Sequence, residues 1–92
     1  MDETGTRETV RTLAARMAPV PPQGGPLTGE TRLIEDLGYD SLHLMMLITE
    51  VFDALALEMP GPDDVVQFEG LESVQDAEDL VVRLLREESR AA

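Results

Sequence analysis

Apolar residues recur at helical spacing in three separate segments of this 92-residue chain. The first segment runs from about Thr6 to Met17 and places Val10, Leu13, Ala14 and Met17 on one face. The second follows Ser41, and its main stripe, at about 100° per residue, consists of Leu44, Leu47, Ile48, Val51 and Leu55. We therefore expect a helix in each of these segments, with its apolar face in the core.

The third segment begins at Ser73, where Asp76 three residues later makes a start that resembles a capping box. Its apolar residues keep the helical period, and they are Val74, Ala77, Leu80, Val81, Leu84 and Leu85. The chain contains no alternating strand pattern. Three main helices are the result.

Proline and glycine divide the helices. Pro19 to Glu30 holds four prolines and three glycines, which predicts a long first loop. Three leucines are expected to hold this loop on the core, and they are Leu27, Leu33 and Leu37. Pro60 and Pro62 are expected to end the second helix. A short helix from Asp63 to Glu69 would then offer Val65, Val66 and Phe68 to the core.

These elements predict an all-α fold, a small three-to-four-helix bundle with a long first loop. Ninety-two residues suffice for one domain and are too few for two, so residues 1–92 form a single domain. We expect its helical core to span about 6–88, with flexible ends at 1–5 and 89–92.

The second helix carries a further apolar stripe, roughly opposite the first, and this stripe consists of Leu42, Met45, Met46 and Phe52. A helix in a small bundle needs only one buried face. Two alternatives remain: other parts of the chain cover this stripe, or it stays exposed for a partner. Whether Met45 and Phe52 belong to the core or to a docking face is open at this point.

The net charge and the distribution of acidic residues limit the kinds of partner that the protein can bind. Nineteen acidic residues stand against seven basic ones, all arginine, and the net charge is −12. Such a surface repels nucleic acid and anionic membranes and attracts basic partners. From Glu30 to Asp79 there are fourteen acids and one arginine, Arg32, so the acidic region surrounds Ser41.

Several functional classes have little support in the sequence. With no cysteine and one histidine, the chain can form neither a disulfide nor a zinc site, and its acids do not follow the spacing of a calcium loop. No apolar run approaches the ~18 residues of a spanning helix. We expect a cytoplasmic monomer without a metal.

Ser41 stands at a predicted helix start, within the sequence EDLGYDSLHLMML of Glu35 to Leu47. Ser41 or Asp40 could cap the helix by accepting a hydrogen bond from a free amide of the first turn. A catalytic triad with Asp40 and His43 is poorly supported, because residues two apart on a helix point roughly 200° away from each other. The G-x-S-x-G motif of a nucleophile elbow is also absent.

Leu33 to Leu47 resembles the prosthetic-group site of the acyl and peptidyl carrier proteins, a D-S-L triplet after an L-G turn. The family's approach to the site is matched at Leu33, Asp36, Leu37 and Gly38. Pro60 stands where that family ends its second helix, and Leu71 to Leu85 resembles the family's last helix.

The resemblance implies that Ser41 is esterified to 4′-phosphopantetheine donated by coenzyme A. Asp40 would orient the phosphopantetheinyl transferase, and Leu42 would pack beside the root of the arm. The protein would be a discrete, non-catalytic carrier that holds acyl groups as thioesters and passes them among loading, condensing and tailoring enzymes with basic docking patches. The residues expected to dock these partners are Leu42, Met45, Met46, Phe52, Asp36 and Asp53.

The chain departs from the family pattern at two points. Carriers of fatty acid synthesis often have an acid five residues after the serine, where this chain has Met46. The G-G-x-S-L form common among peptidyl carriers is absent, because Tyr39 and Asp40 precede the serine. We expect a role in a specialised polyketide or hybrid polyketide–peptide pathway. The alternatives are a peptidyl or aminoacyl carrier of nonribosomal peptide synthesis and an unmodified interaction module.

Overall fold

A computed structural model describes residues 3–21, 25, 27–58, 61, 66–68 and 70–91. Within these ranges the chain forms α1 (Glu3–Arg16), α2 (Ser41–Ala54), a short helical segment α3 (66–68) and α4 (Val74–Ala91). These ranges contain no strand, only one isolated antiparallel bridge between Arg32 and Ser73. The prediction of a small all-α bundle with a long first loop is confirmed.

The first helix packs against both α2 and α4 and buries Thr6, Val10 and Ala14. It begins at Glu3, three residues before the start that we expected from the periodicity at about Thr6. The Glu3 carboxylate lies 2.9 Å from the Arg7 guanidinium one turn later and 3.1 Å from that of Arg86 on α4. Charges rather than apolar residues stabilise this first turn, and hydrophobic periodicity does not detect them.

The second helix buries four residues of the predicted stripe, Leu44, Leu47, Ile48 and Val51, all at most 2% exposed. The fifth, Leu55, follows the end of the helix and is only partly buried. The helix ends at Ala54, well before Pro60, which lies outside the described residues. Its end is a Schellman motif, in which the Leu57 amide donates to the Phe52 carbonyl and the Ala56 amide donates to that of Asp53. Ala56 takes the left-handed conformation, φ 57°, that glycine usually supplies.

The long first loop contributes directly to the core and to the start of α4. Its three predicted leucines, Leu27, Leu33 and Leu37, are buried. The carbonyls of Gly29 and Thr31 accept hydrogen bonds from the Gln75 and Val74 amides, at 3.0 and 2.9 Å. These bonds satisfy amides that the first turn of a helix leaves free.

The fourth helix begins with the capping box that its sequence predicts. The Asp76 amide donates to the Ser73 hydroxyl, and the Asp76 carboxylate accepts from the Ser73 amide, both at 3.2 Å. The helix continues to Ala91, three residues beyond the expected end of the helical core at about residue 88. No helix in the described ranges is both long and apolar enough to cross a bilayer.

The contact between α1 and α4 includes a buried carboxylate. Glu78 on α4 is 2% exposed, and its two oxygens lie 3.4 Å from an Arg7 nitrogen and 2.8 Å from an Arg11 nitrogen.

The short segment α3 buries Phe68, as predicted, but leaves Val66 68% exposed. The prediction of Val66 as a core residue is therefore wrong, and Val65 lies outside the described residues.

Candidate functional site

The turn that precedes α2 is wound tightly over residues 31–40. The amides of Leu37, Gly38 and Tyr39 donate to the carbonyls of Arg32, Ile34 and Leu33, at 3.2, 3.1 and 3.0 Å. Because Leu33 and Leu37 are also fully buried, both the backbone and the core hold this turn in place. Ser41 follows directly, at the first position of α2.

Gly38 makes the turn possible in two ways. Its φ of 73° is in the left-handed region, which residues with a Cβ rarely adopt. A Cβ added to Gly38 would also lie 2.6 Å from Cγ2 of Val20, whose amide donates to the Leu37 carbonyl at 2.9 Å. The glycine of the Leu37–Gly38 pair therefore allows the first loop to approach the turn closely at Val20.

Gly38→Ala should lower the free energy of unfolding by about 2 kcal/mol, which combines left-handed backbone strain with displacement of Val20. Gly70→Ala is the matched control, because its Cβ would lie 3.7 Å from the nearest atom, an ordinary contact. We expect this control to be neutral or slightly stabilising, and urea unfolding measures both variants. Equal stability of the two variants would contradict the role given to Gly38.

Tyr39 ties the same turn to α1. Its side chain is 2% exposed, and its hydroxyl donates to the Ala14 carbonyl at 2.8 Å. Burial raises the pKa of this hydroxyl to about 12, so it stays protonated as the hydrogen-bond donor at physiological pH. The C-terminal part of α1 and the start of α2 are thereby held in one arrangement.

Asp40, not Ser41, caps α2. Asp40 has extended backbone, and its Oδ1 accepts a hydrogen bond from the His43 amide at 2.8 Å. The same Oδ1 lies 2.7 Å from Nδ1 of the His43 ring. The hydrogen bonds from the His43 amide and ring stabilise the ionised form and lower the pKa of the Asp40 carboxyl below its ordinary value.

Because Asp40 provides the cap, the Ser41 side chain has no structural role in the helix start. Ser41 is exposed, and its hydroxyl has no hydrogen-bond partner among the described residues. The amides of Ser41 and Leu42 are likewise unpaired within that part of the chain. The site therefore combines an accessible hydroxyl with two free amides at the positive end of a helix dipole, where a bonded anion is favoured.

The arrangement does not form a hydrolytic triad. Asp40 and His43 are in contact, but the described residues include no hydrogen bond between His43 and the Ser41 hydroxyl. A base that activates a serine must reach its hydroxyl.

The residues of the second apolar stripe of α2, which we expected to dock partners, differ in exposure. Leu42, Met45 and Met46 are 63%, 45% and 49% exposed, so a partner can reach them. Phe52 is only 6% exposed, and its assignment as a docking residue is wrong. The Schellman motif at the end of α2 brings Leu57 back against the core near the Phe52 backbone.

The two acids predicted to take part in docking, Asp36 and Asp53, are both exposed. Asp36 also stabilises its own turn, because its Oδ2 accepts from the Arg32 amide at 2.8 Å. Sequence reasoning missed Ile34, which is 54% exposed on the turn before Ser41. Ile34 adjoins Leu33, and only the fold distinguishes the buried residue of this pair from the exposed one.

Comparisons of the chain with protein-family models, with curated proteins and with solved structures give no match.

Proposed function

We propose that this protein is a carrier that bears a 4′-phosphopantetheine arm on the Ser41 hydroxyl. The observation that carries the proposal is the division of roles at the start of α2. Asp40 caps the helix, and Ser41 keeps an exposed, unpaired hydroxyl. The D-S-L triplet after the L-G turn, which resembles the attachment site of carrier proteins, supports the same assignment.

The residues around Ser41 fit an attached phosphodiester. The unpaired amides of Ser41 and Leu42 can donate to phosphate oxygens, and the helix dipole favours the negative charge. Leu42, which is 63% exposed, offers an apolar contact to the root of the arm. The arm would supply a terminal thiol that holds acyl groups as thioesters, so the chain itself would be a carrier and not a catalyst.

The partners of such a carrier are the phosphopantetheinyl transferase and the loading, condensing and tailoring enzymes of its pathway. Leu42, Met45 and Met46 form the apolar part of the docking surface, and methionine suits a surface that meets several enzymes in turn. Asp36 and Asp53 are exposed acids that would attract basic patches, mainly by increasing the association rate. We assign the carrier to the cytoplasm, as a monomer.

The pathway we favour is a specialised polyketide or hybrid polyketide–peptide pathway. Met46 supports this choice, since it is 49% exposed at a position where carriers of fatty acid synthesis often have an acid. An apolar side chain there would suit partners whose docking patch is partly apolar. A peptidyl or aminoacyl carrier would share the same serine chemistry and differ in its cargo.

Mass spectrometry tests the proposal directly. The protein is incubated with coenzyme A, magnesium and a broad-specificity phosphopantetheinyl transferase, and it should gain the mass of one arm. Proteolysis of the product should locate the added mass on the peptide that contains Ser41. If several transferases add nothing, the chain is an unmodified interaction module and the proposal is wrong.

A further inference from the structure

The Asp40 carboxylate is held by His43 in an unequal way. Both contacts from His43, the backbone amide at 2.8 Å and the ring Nδ1 at 2.7 Å, reach the same oxygen, Oδ1. Oδ2 accepts no hydrogen bond from another described residue. The side chain of Asp40 is 65% exposed, so this second oxygen is open to a partner.

The ring contact is not required for the cap. A single hydrogen bond from the N3 amide to the N-cap side chain is what caps a helix, and the His43 amide supplies it. The ring adds a second hydrogen bond to the same oxygen and thereby restricts rotation of the carboxylate. What the ring determines is the direction in which Oδ2 points.

No other charged side chain pairs with His43 in the described part of the chain. The nearest acids in sequence on the preceding turn are Glu35, which pairs with the Arg32 guanidinium at 3.0 Å, and Asp36, which accepts from the Arg32 amide. Arg16, at the end of α1, pairs with no described acid. Asp40 is therefore the only charged partner of the His43 ring among the described residues.

We propose that His43 is a positioning residue for the modification of Ser41, because it orients the Asp40 carboxylate toward the transferase that loads the arm. This inference rests on the proposed carrier function. In the transfer, the Ser41 oxygen forms a bond to phosphorus and a phosphoanhydride bond of coenzyme A breaks. Adenosine 3′,5′-bisphosphate leaves with the electron pair of that bond, and the hydroxyl proton is released.

Five proteins test the inference by transferase kinetics: wild type, His43→Ala, His43→Gln, Asp40→Asn and the double variant that combines His43→Ala with Asp40→Asn. Asparagine is a good N-cap residue, so Asp40→Asn removes the charge and keeps the helix start. His43→Ala should lower kcat/KM for arm transfer about fivefold, the factor that one lost hydrogen bond typically gives. The loss should fall on KM, because an oriented carboxylate strengthens ground-state and transition-state binding alike.

The double variant tests whether His43 acts on arm transfer through the Asp40 carboxylate. In the Asp40→Asn background, His43→Ala should change kcat/KM less than about twofold, since there is no longer a charge to orient. His43→Gln, whose amide can also donate to Asp40, should recover most of the loss. A full fivefold loss in both backgrounds would show that His43 contacts the transferase directly, and this result would overturn the inference, as would no loss in either.

A carboxyl titration followed by carbon NMR gives a readout that needs no transferase. Removing the ring in His43→Ala should raise the pKa of Asp40 from its lowered value toward the ordinary one. An unchanged titration would overturn the inference. If wild-type protein accepts no arm while the Asp40 titration still moves, the carrier proposal fails although the contact between the two side chains exists.

Discussion

Ser41→Ala should abolish addition of the phosphopantetheine arm and leave the fold intact. The hydroxyl is the only atom lost, and it has no hydrogen-bond partner in the described part of the chain. The cap of α2 is supplied by Asp40, so the helix start does not depend on Ser41. We expect complete loss of the added mass with unchanged circular dichroism and a free energy of unfolding within about 0.5 kcal/mol of wild type.

Ser73→Ala is the matched control, because Ser73 lies directly before α4 and caps it, whereas Ser41 is the first residue of α2 and does not cap that helix. Its hydroxyl accepts from the Asp76 amide at 3.2 Å, so the substitution should lower the free energy of unfolding by about 1 kcal/mol. This variant should still gain one arm. We therefore expect Ser41→Ala to change modification but not stability, and Ser73→Ala to change stability but not modification. Modification of the Ser41→Ala variant would refute the assignment of the attachment site.

Phe52→Ala should lower the free energy of unfolding by about 3 kcal/mol or more, the cost typical of removing a buried aromatic side chain. Its side chain is 6% exposed and belongs to the main core cluster. Met46→Glu, six residues earlier on the same helix, should leave the melting temperature nearly unchanged, since Met46 is 49% exposed. Urea unfolding and thermal melting measure the two effects.

We expect Met46→Glu to affect function although it leaves stability nearly unchanged. Met46→Glu should weaken loading by the cognate acyl-transferring enzyme, because it places a charge in the apolar part of the docking surface. Met45→Ala is a control for stability, since Met45 is 45% exposed and its truncation should cost less than about 1 kcal/mol. If Met46→Glu unfolds the protein, Met46 is a core residue and the docking surface lies elsewhere.

Much of the fold can be predicted from the sequence because its determinants are local. Helical periodicity identifies the buried stripe of α2, and the spacing of Ser73 and Asp76 identifies the start of α4. The break between α1 and α2 follows from proline and glycine. Each of these signals depends on residues within a few positions of one another, so the rest of the structure is not needed to interpret them.

Helix ends were predicted less well than helix positions. The sequence predicts that α2 ends at Pro60, but the helix stops at Ala54, where Ala56 adopts a left-handed conformation without being glycine. The first turn of α1 is stabilised in part by Arg86, which is 83 residues from Glu3. Contacts of that kind leave no local pattern to read.

At the candidate site, the sequence by itself determined that Ser41 begins a helix after an L-G turn in an acidic region. It left open whether Ser41 or Asp40 is the cap, because both residue types accept hydrogen bonds from a first-turn amide. The tertiary structure decided for Asp40, since its extended backbone brings Oδ1 to the His43 amide. That choice is what leaves the Ser41 hydroxyl unpaired.

The second stripe of α2 shows the same division. Its periodicity groups Leu42, Met45, Met46 and Phe52 on one side of the helix, and nothing in that pattern separates buried from exposed members. Only the tertiary structure buries Phe52 and leaves the other three exposed. The physical reason is that burial depends on which distant segment packs over a side chain. The spacing of residues along a helix determines only the direction in which that side chain points.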